Sequence, residues 1–475
     1  MNIYISNQSF SYDVHSLTKA FYQGEDVKVL DYEKMISPDE GFFYCIFGEE
    51  LFVKNDGEER SVFKNKIKRE IYNKLSALTG SLLPWGTLTG IRPTKIPMSL
   101  LEQGKSDDEI FRYMKETYLV SDEKINLSIN IAKNERRILG GLHGNDGYSL
   151  YIGIPFCPTT CMYCSFTSYP ISKWKNTVDN YIQTVKKEID FCKVAMREKV
   201  LDTVYIGGGT PTTLEPYQFD DLIGYLRHTL DLSYVREFTV EAGRPDSITK
   251  EKLEALKRNK VTRISVNPQT MNDKTLKLIG RNHTTEQFRE SFKAAREYFD
   301  NINTDLILGL PGENIDDVKY TFDEIEKMAP DSITVHSMAI KRAAHMDEYL
   351  KAHPEVKSEN SWDMMQVASD CAKALNMPPY YLYRQKNMAG NYENTGFSTE
   401  GKEGIYNILI MEEVQSIVAL GAGTVTKRVY PGDVDNGSNT RIERCDNVKD
   451  VNLYIDKIDE MIDRKRKLLV DNVDE

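Results

Sequence analysis

Between residues 148 and 345 the chain alternates strictly between two kinds of segment, and that alternation limits its fold more than any other feature. SLYIGIPF (149–156), DTVYIGG (202–208), EFTVEAG (237–243), RISVNPQ (263–269), TDLILGLP (304–311) and SITVHSMA (332–339) read as strands. Between them, 181–197, 215–230, 250–259, 285–299 and 315–328 carry apolar residues at helical spacing. Six βα-type units in order predict an α/β fold, a parallel sheet with helices outside it, open or curled into a partial barrel. Ligands of such sheets gather at the carboxyl ends of the strands.

The flanks differ from this centre. Residues 1 to about 80 mix strand-like runs at 1–5, 42–47 and 50–54 with a turn at Asn55-Asp56-Gly57, as in a small α+β module. A helical pattern follows LLPWGTLTGIRPTKIP and ends at GGLHGNDG (140–147). This divides the chain into an accessory α+β domain with a helical linker (1–147), the six-unit domain (148–345) and a helix-rich domain (346–475). The last contains a Tyr- and Asn-rich insertion, PPYYLYRQKNMAGNYENTGFS (378–398).

Charge and cysteine usage exclude several classes. With 61 Lys and Arg against 72 Asp and Glu, the net charge of −11 argues against a protein devoted to the nucleic-acid backbone. No apolar stretch approaches the ~18 residues of a membrane span, and the N-terminus lacks a signal-peptide pattern. The seven cysteines are odd in number, and Cys45, Cys192, Cys371 and Cys445 are scattered, unlike a secreted disulfide framework. A cytoplasmic protein with reduced thiols is expected.

The other three cysteines, Cys157, Cys161 and Cys164, crowd into YIGIPFCPTTCMYCSF at spacing C-x3-C-x2-C, directly after the first strand. Three thiolates can hold three corners of an iron-sulfur cluster and leave one iron open. Zinc would need a fourth ligand, and no partner pair is present. A thioredoxin-like use of Cys161 and Cys164 would leave Cys157 idle. The second strand ends in YIGGGTPTTL (205–214), where three glycines let the backbone turn sharply against a ligand; the GK[ST] of a P-loop is missing. Later strands end in Glu241, Gln269, Asp305 and Ala339. A carboxylate ending an apolar strand is costly unless it is paired or binds something, and carboxylates suit ribose hydroxyls.

CxxxCxxC after the first strand of a six-unit β/α domain resembles the radical S-adenosylmethionine (SAM) superfamily, over roughly residues 149–345. The strings VEAGRPD, VNPQTMNDKTLKLIGRNHT, DLILGLPGE and YYLYRQKNMAGNYENTGF narrow the resemblance to the oxygen-independent coproporphyrinogen III oxidases, in particular the HemZ type of coproporphyrinogen dehydrogenase. That resemblance implies a [4Fe-4S] cluster on Cys157, Cys161 and Cys164. It implies one SAM near Tyr151, Gly208 and Glu241, and contacts to a second at Tyr163, Gly209, Thr210, Gln269, Arg281, Asp305 and Ala339.

The implied reaction is oxidative decarboxylation of coproporphyrinogen III to protoporphyrinogen IX. Its radical is generated at the cluster and SAM, so no side chain is named as an acid or base. The implied electron donor is of the flavodoxin or ferredoxin kind. Two related activities remain open: a haem-binding chaperone, and a radical SAM methyltransferase acting on haem. Two departures stand out: Ser165-Phe166 occupies the place of a further cysteine in the better-known oxidases, and the HNxxYW-like string of the chaperones is missing.

For a tetrapyrrole substrate, Arg384 and Lys386 beside Tyr380, Tyr381 and Tyr383, together with Lys341 and Arg342, are candidates to bind propionates. Guanidinium matches carboxylate bidentately, and aromatic faces suit a macrocycle. His336 and His345 read as ordinary core or surface histidines.

Overall fold

In a computed structural model of the chain, the described residues are 1–23, 25–32, 41–339, 345–385, 392–430, 432 and 440–470. They form two compact units, Met1–Asn134 with Leu382–Glu393, and Glu135–Tyr381 with Asn394–Glu475.

In the first unit, strands β1 (Asn2–Ile5), β2 (Lys28–Asp31), β3 (Phe42–Ile46) and β4 (Glu49–Val53) form a sheet in the order β2-β1-β3-β4. Ile3, Ile5, Phe42, Tyr44 and Ile46 point to one face, where they bury against Val14 and Leu17 of helix Ser11–Phe21 and Phe63, Ile67 and Ile71 of helix Arg60–Thr79. A second core gathers Trp85, Met98, Ile110, Met114, Ile125 and Ile129, and Leu382 from the returning segment joins it.

The second unit holds an eleven-stranded sheet among the described residues. Its centre is β5 (Gly147–Ile154), β8 (Val200–Gly208), β9 (Glu237–Glu241), β10 (Arg263–Ser265), β11 (Ile302–Leu308) and β12 (Ser332–Ser337), adjacent in sequence order and all parallel. Between β5 and β8 the chain makes a small separate pair, β6 (Phe156–Cys157) with β7 (Tyr169–Pro170). The six central strands form the partial barrel.

Register explains which face became the interior. Tyr151 pairs with Tyr205, Tyr205 with Thr239, and Thr239 with Arg263, so these side chains share one face. The alternate row, Leu150, Ile152, Val204, Ile206, Phe238, Val240 and Ile264, is at most 2% exposed beneath the amphipathic helices. Each such burial stabilises the fold by about 1.5–3 kcal/mol. The inner row is polar, as a face built to meet a ligand must be.

Local chemistry fixes the helix starts. Thr284 with Gln287 and Asn314 with Asp317 form capping boxes at helices Thr285–Arg296 and Ile315–Met328. Helix Pro216–Thr229 begins with proline at its first position, where a missing N–H costs nothing.

The C-terminal portion, expected as a helix-rich domain, holds both helices and strands. Its helices Met346–Ala352, Trp362–Ala374, Ile405–Glu412, Val451–Asp456 and Ile458–Leu469 alternate with β13 (Pro379–Tyr383), β14 (Asn394–Ser398), β15 (Ser416–Leu420), β16 (Val425–Tyr430) and β17 (Arg441–Asp446). β14 pairs antiparallel with β12, and β15 parallel with β5, so both edges of the six-strand core are covered. Glu135–Tyr381 and Asn394–Glu475 fall in one compact unit. Within the Tyr-rich insertion, Pro379–Tyr383 and Asn394–Ser398 are strands.

Candidate active site

The three cysteines lie on the segment that leaves β5, Cys157 ending the short strand β6 and the other two on the loop after it, and main-chain hydrogen bonds restrain this segment on both sides. Gly209 N–H donates to Ile154 O at 2.8 Å and Thr210 N–H to Phe156 O at 2.7 Å, tying the loop's start to the glycine turn. Met162 N–H donates to Ile279 O at 3.0 Å, and the Thr159 hydroxyl to Gly280 O at 3.1 Å, tying its far side to LIGRNH. Within the loop, Cys164 N–H donates to Cys161 O at 3.1 Å.

None of the three is in a disulfide; Cys161 is buried and the other two are half-buried. Burial pushes the Cys157 thiol up, and Cys164 and Cys161 push it the same way, while the Thr210 hydroxyl, donating to its sulfur at 3.5 Å, opposes them. The three sulfurs thus share one electrostatic neighbourhood. Among the described residues no three His, Cys, Asp or Glu side chains are disposed around a single metal ion. The fit to a cluster rests instead on the donor set, three thiols on one segment with a guanidinium beside them. That guanidinium is Arg244, whose Nη1 lies 3.9 Å from Cys161 Sγ.

The glycine turn is cramped on every side. A Cβ on Gly209 would lie 2.6 Å from Phe156 O, and one on Gly207 would lie 2.8 Å from the Tyr205 ring; Gly208 has φ +105°. Only glycine fits this course.

Inside the barrel the Tyr205 hydroxyl donates to Glu241 Oε1 at 2.6 Å, and the Gly208 N–H also reaches that carboxylate. Burial and then the charge of Asp305 push the Glu241 carboxyl up to about 7, against the pull of those hydrogen bonds. The rings of Tyr151, Tyr205 and Tyr406 stack, with Tyr205 and Tyr406 centroids 4.6 Å apart.

Asp305 lies within β11 rather than at its end, and it accepts from Asn267 Nδ2 at 2.8 Å and Asn303 Nδ2 at 2.7 Å. Gln269 is held at φ +72°, a left-handed conformation costly to a residue with a Cβ, by its N–H to Asp305 O and its O to Ile307 N–H. Strain of this kind collects at ligand-binding sites.

Arg281 closes the space between thiols and barrel. Its Nη1 donates to the Tyr163 hydroxyl at 3.0 Å and its Nη2 to Gly243 O and Asn267 O at 2.9 and 2.6 Å. Nearby His283 is buried with neither ring nitrogen hydrogen-bonded, and burial, then Arg281, hold its pKa down to about 3. Ala339 follows β12, half-buried.

Arg384, expected as a propionate ligand, belongs to the first unit. It is 5% exposed, its Nη1 donates to Leu88 O at 2.6 Å, and its guanidinium lies 5.8 Å from the Trp85 ring centroid. Burial brings its pKa down to about 10. Lys341, Arg342 and Lys386 lie outside the described residues. His336 is a half-buried residue of β12 and His345 is exposed. Sequence reasoning missed Arg244, Tyr205, Asn267 and Thr159, although each lies in or beside a string already singled out.

A partial barrel of parallel strands, with three thiols after its first strand and a glycine turn after its second, defines the radical SAM class; the radical SAM superfamily model matches residues 151–325. This fold implies a [4Fe-4S] cluster and SAM. Within the class, the chain belongs to the oxygen-independent coproporphyrinogen-III oxidase-like family represented by HemZ. It is 40% identical to HemZ of Bacillus subtilis (strain 168) over 426 residues, 88% of this chain and 84% of that one. It is 31% identical to the heme chaperone HemW of Lactococcus lactis over 277 residues, 58% of this chain and 68% of that one. The solved coproporphyrinogen III oxidase HemN from Escherichia coli aligns with a TM-score of 0.53 at 19% identity, over 69% of this chain and 73% of that one, a likeness of fold.

Proposed function

We propose that the chain decarboxylates coproporphyrinogen III oxidatively to protoporphyrinogen IX without O2, with Cys157, Cys161 and Cys164 as cluster ligands. The observation that carries the reading is one turn serving two sites: the Thr210 hydroxyl meets the Cys157 sulfur, and the Gly208 N–H meets the Glu241 carboxylate. A cluster ligand and a ribose acceptor are thereby set side by side.

When bound, the cluster and SAM supply a primary carbon radical able to take a hydrogen atom from a propionate β-carbon. Each propionate would then lose CO2 and pass one electron to a one-electron acceptor, becoming a vinyl group. The chain's own residues orient and shield. Glu241, ionised, accepts from ribose hydroxyls, with Tyr151 and Gly208 beside it; Asp305, Gln269, Arg281, Tyr163, Gly209, Thr210 and Ala339 form the adjoining wall, room for a second SAM. No side chain moves a proton at the radical step.

The electron comes from a donor of the flavodoxin or ferredoxin class. The protein works in the reducing cytoplasm, in keeping with reduced cysteines, none of those described being in a disulfide. No described helix is long and apolar enough to cross a membrane.

Likeness to HemW favours a second reading, haem carriage without oxidation. The deciding experiment is anaerobic reconstitution, then incubation with SAM, reductant and coproporphyrinogen III. Deoxyadenosine together with a product lighter by CO2 and hydrogen is expected. Deoxyadenosine without such a product refutes the substrate, and stoichiometric haem transfer without CO2 release supports the carrier.

A further inference from the structure

Arg244 follows β9 in the string VEAGRPD, where a cation before a proline reads as an ordinary loop residue. It is 3% exposed, and an ordinary loop cation is not buried. Its fork is divided between two tasks. Nε and Nη2 donate to the two oxygens of Asp246 at 2.9 and 2.6 Å, the bidentate arrangement that fixes a guanidinium in its plane. Nη1 projects from the other edge to the cysteine loop, donating to Thr159 Oγ1 at 2.7 Å and Thr159 O at 3.2 Å, and reaching Cys161 Sγ at 3.9 Å.

A clamp alone would need only the Thr159 contacts. The sulfur contact adds an electrostatic consequence, because a cluster that accepts an electron gains negative charge partly carried by its thiolates. A cation and an N–H aimed at one thiolate stabilise the reduced state and raise the reduction potential. The Asp246 carboxylate, on the far edge of the fork, moderates that effect while orienting it.

We propose that Arg244 is a positioning residue that sets the reduction potential of the cluster, through its N–H to the Cys161 sulfur and its pairing with Asp246. This rests on the three-cysteine cluster reading. The electron itself is supplied by a one-electron donor of the flavodoxin or ferredoxin class, oxidised in the same step. The interaction serves to keep the cluster within such a donor's reach.

The full chain, reconstituted anaerobically, is titrated with dithionite under EPR, with iron and sulfide measured on the same samples. R244Q removes the charge and is expected to hold iron while making reduction at least tenfold less favourable, about 59 mV downward for one electron. D246N leaves the guanidinium and removes its counter-charge, and the potential moves upward. R244K keeps the charge without the fork and falls between R244Q and the parent.

A purely structural role would not give opposite signs to R244Q and D246N. Full iron with the parent potential in both variants overturns the proposal and leaves the cluster reading intact. If R244Q holds no iron, D246N decides alone: an upward shift supports the proposal, and an unchanged or lower potential overturns it. Retention of iron and sulfide by C161A would instead overturn the cluster reading itself.

Discussion

Two parts of the second unit, the cysteine loop at 155–164 and the inner barrel face of Tyr205, Glu241, Asn267 and Asp305, are secured in different ways. The loop is held mainly by its backbone, through Met162 to Ile279, Gly209 to Ile154 and Thr210 to Phe156. The barrel face is held by side chains, Tyr205 to Glu241 and Asn267 and Asn303 to Asp305. A backbone-held loop can change its side chains and keep its course, whereas each substitution on the barrel face alters the charge presented to a ligand. Side-chain changes should therefore remove function from the loop without unfolding it, and should shift affinity and pH response at the barrel face.

The largest effect is expected at the loop. C161A removes one of three thiols but none of the main-chain bonds, so iron and sulfide should fall to background after reconstitution. The apoprotein should lose only about 1 kcal/mol, the usual size of a single core change. Thermal melting of apo parent and apo variant checks this. A collapse in melting temperature would mean that the Cys161 side chain, and not the backbone, holds the loop.

Next comes E241Q on the barrel face. A carboxyl raised to about 7 is half protonated at neutral pH, and the protonated form is a poorer ribose acceptor. SAM affinity of the parent should fall as pH drops from 8 to 6. E241Q should weaken binding about tenfold to a hundredfold at pH 8, the worth of a hydrogen bond to a charged group, and remove the pH dependence; calorimetry across that range tests it. The stability sign is opposite to that of a salt-bridged acid. Between the ordinary 4.5 and about 7 the folded state binds more proton than the unfolded one, so apoprotein stability falls as pH rises through that window. E241Q should flatten that slope.

Y205F should do less. It removes the hydroxyl that donates at 2.6 Å to Glu241 and leaves the ring stacked on Tyr406. Losing a donor to the charged form raises the Glu241 pKa further, so the midpoint of the SAM-affinity profile should move to higher pH, with about fivefold weaker binding at pH 7. An unmoved midpoint would mean that the Gly208 N–H alone governs the carboxylate.

The same contrast governs what could be read from the sequence. Cysteine spacing, the glycine triplet and strand-helix alternation are local patterns, and the second strand expected at 202–208 is Val200–Gly208. RISVNPQ was expected to run as strand to 269, but β10 stops at Ser265; Pro268 lacks an N–H and Gln269 turns left-handed. Non-local features were the ones missed. SIVAL (416–420) becomes β15 by pairing with β5 far earlier in the chain. Arg244 meets Thr159 and Cys161, 85 and 83 residues before it. Arg384 donates to Leu88 O, 296 residues before it. A single sequence marks a residue's chemistry more readily than the distant partner that uses it.

The smallest effect, and the sharpest test of the contrast, belongs to T159V. The Thr159 hydroxyl is one of two side-chain struts described here between the cysteine loop and LIGRNH, the other being Arg281 to the Tyr163 hydroxyl; it donates to Gly280 O at 3.1 Å while accepting from Arg244 Nη1 at 2.7 Å. Valine keeps the volume and removes both bonds. Arg244 retains the Thr159 carbonyl at 3.2 Å, and Met162 N–H still holds Ile279 O. A loss of about 1–2 kcal/mol is therefore expected, with the cluster assembled in full but released to a chelator severalfold faster than in the parent. If T159V instead fails to assemble a cluster, one hydroxyl outweighs the main-chain bonds around it, and loop and barrel face are held in the same way after all.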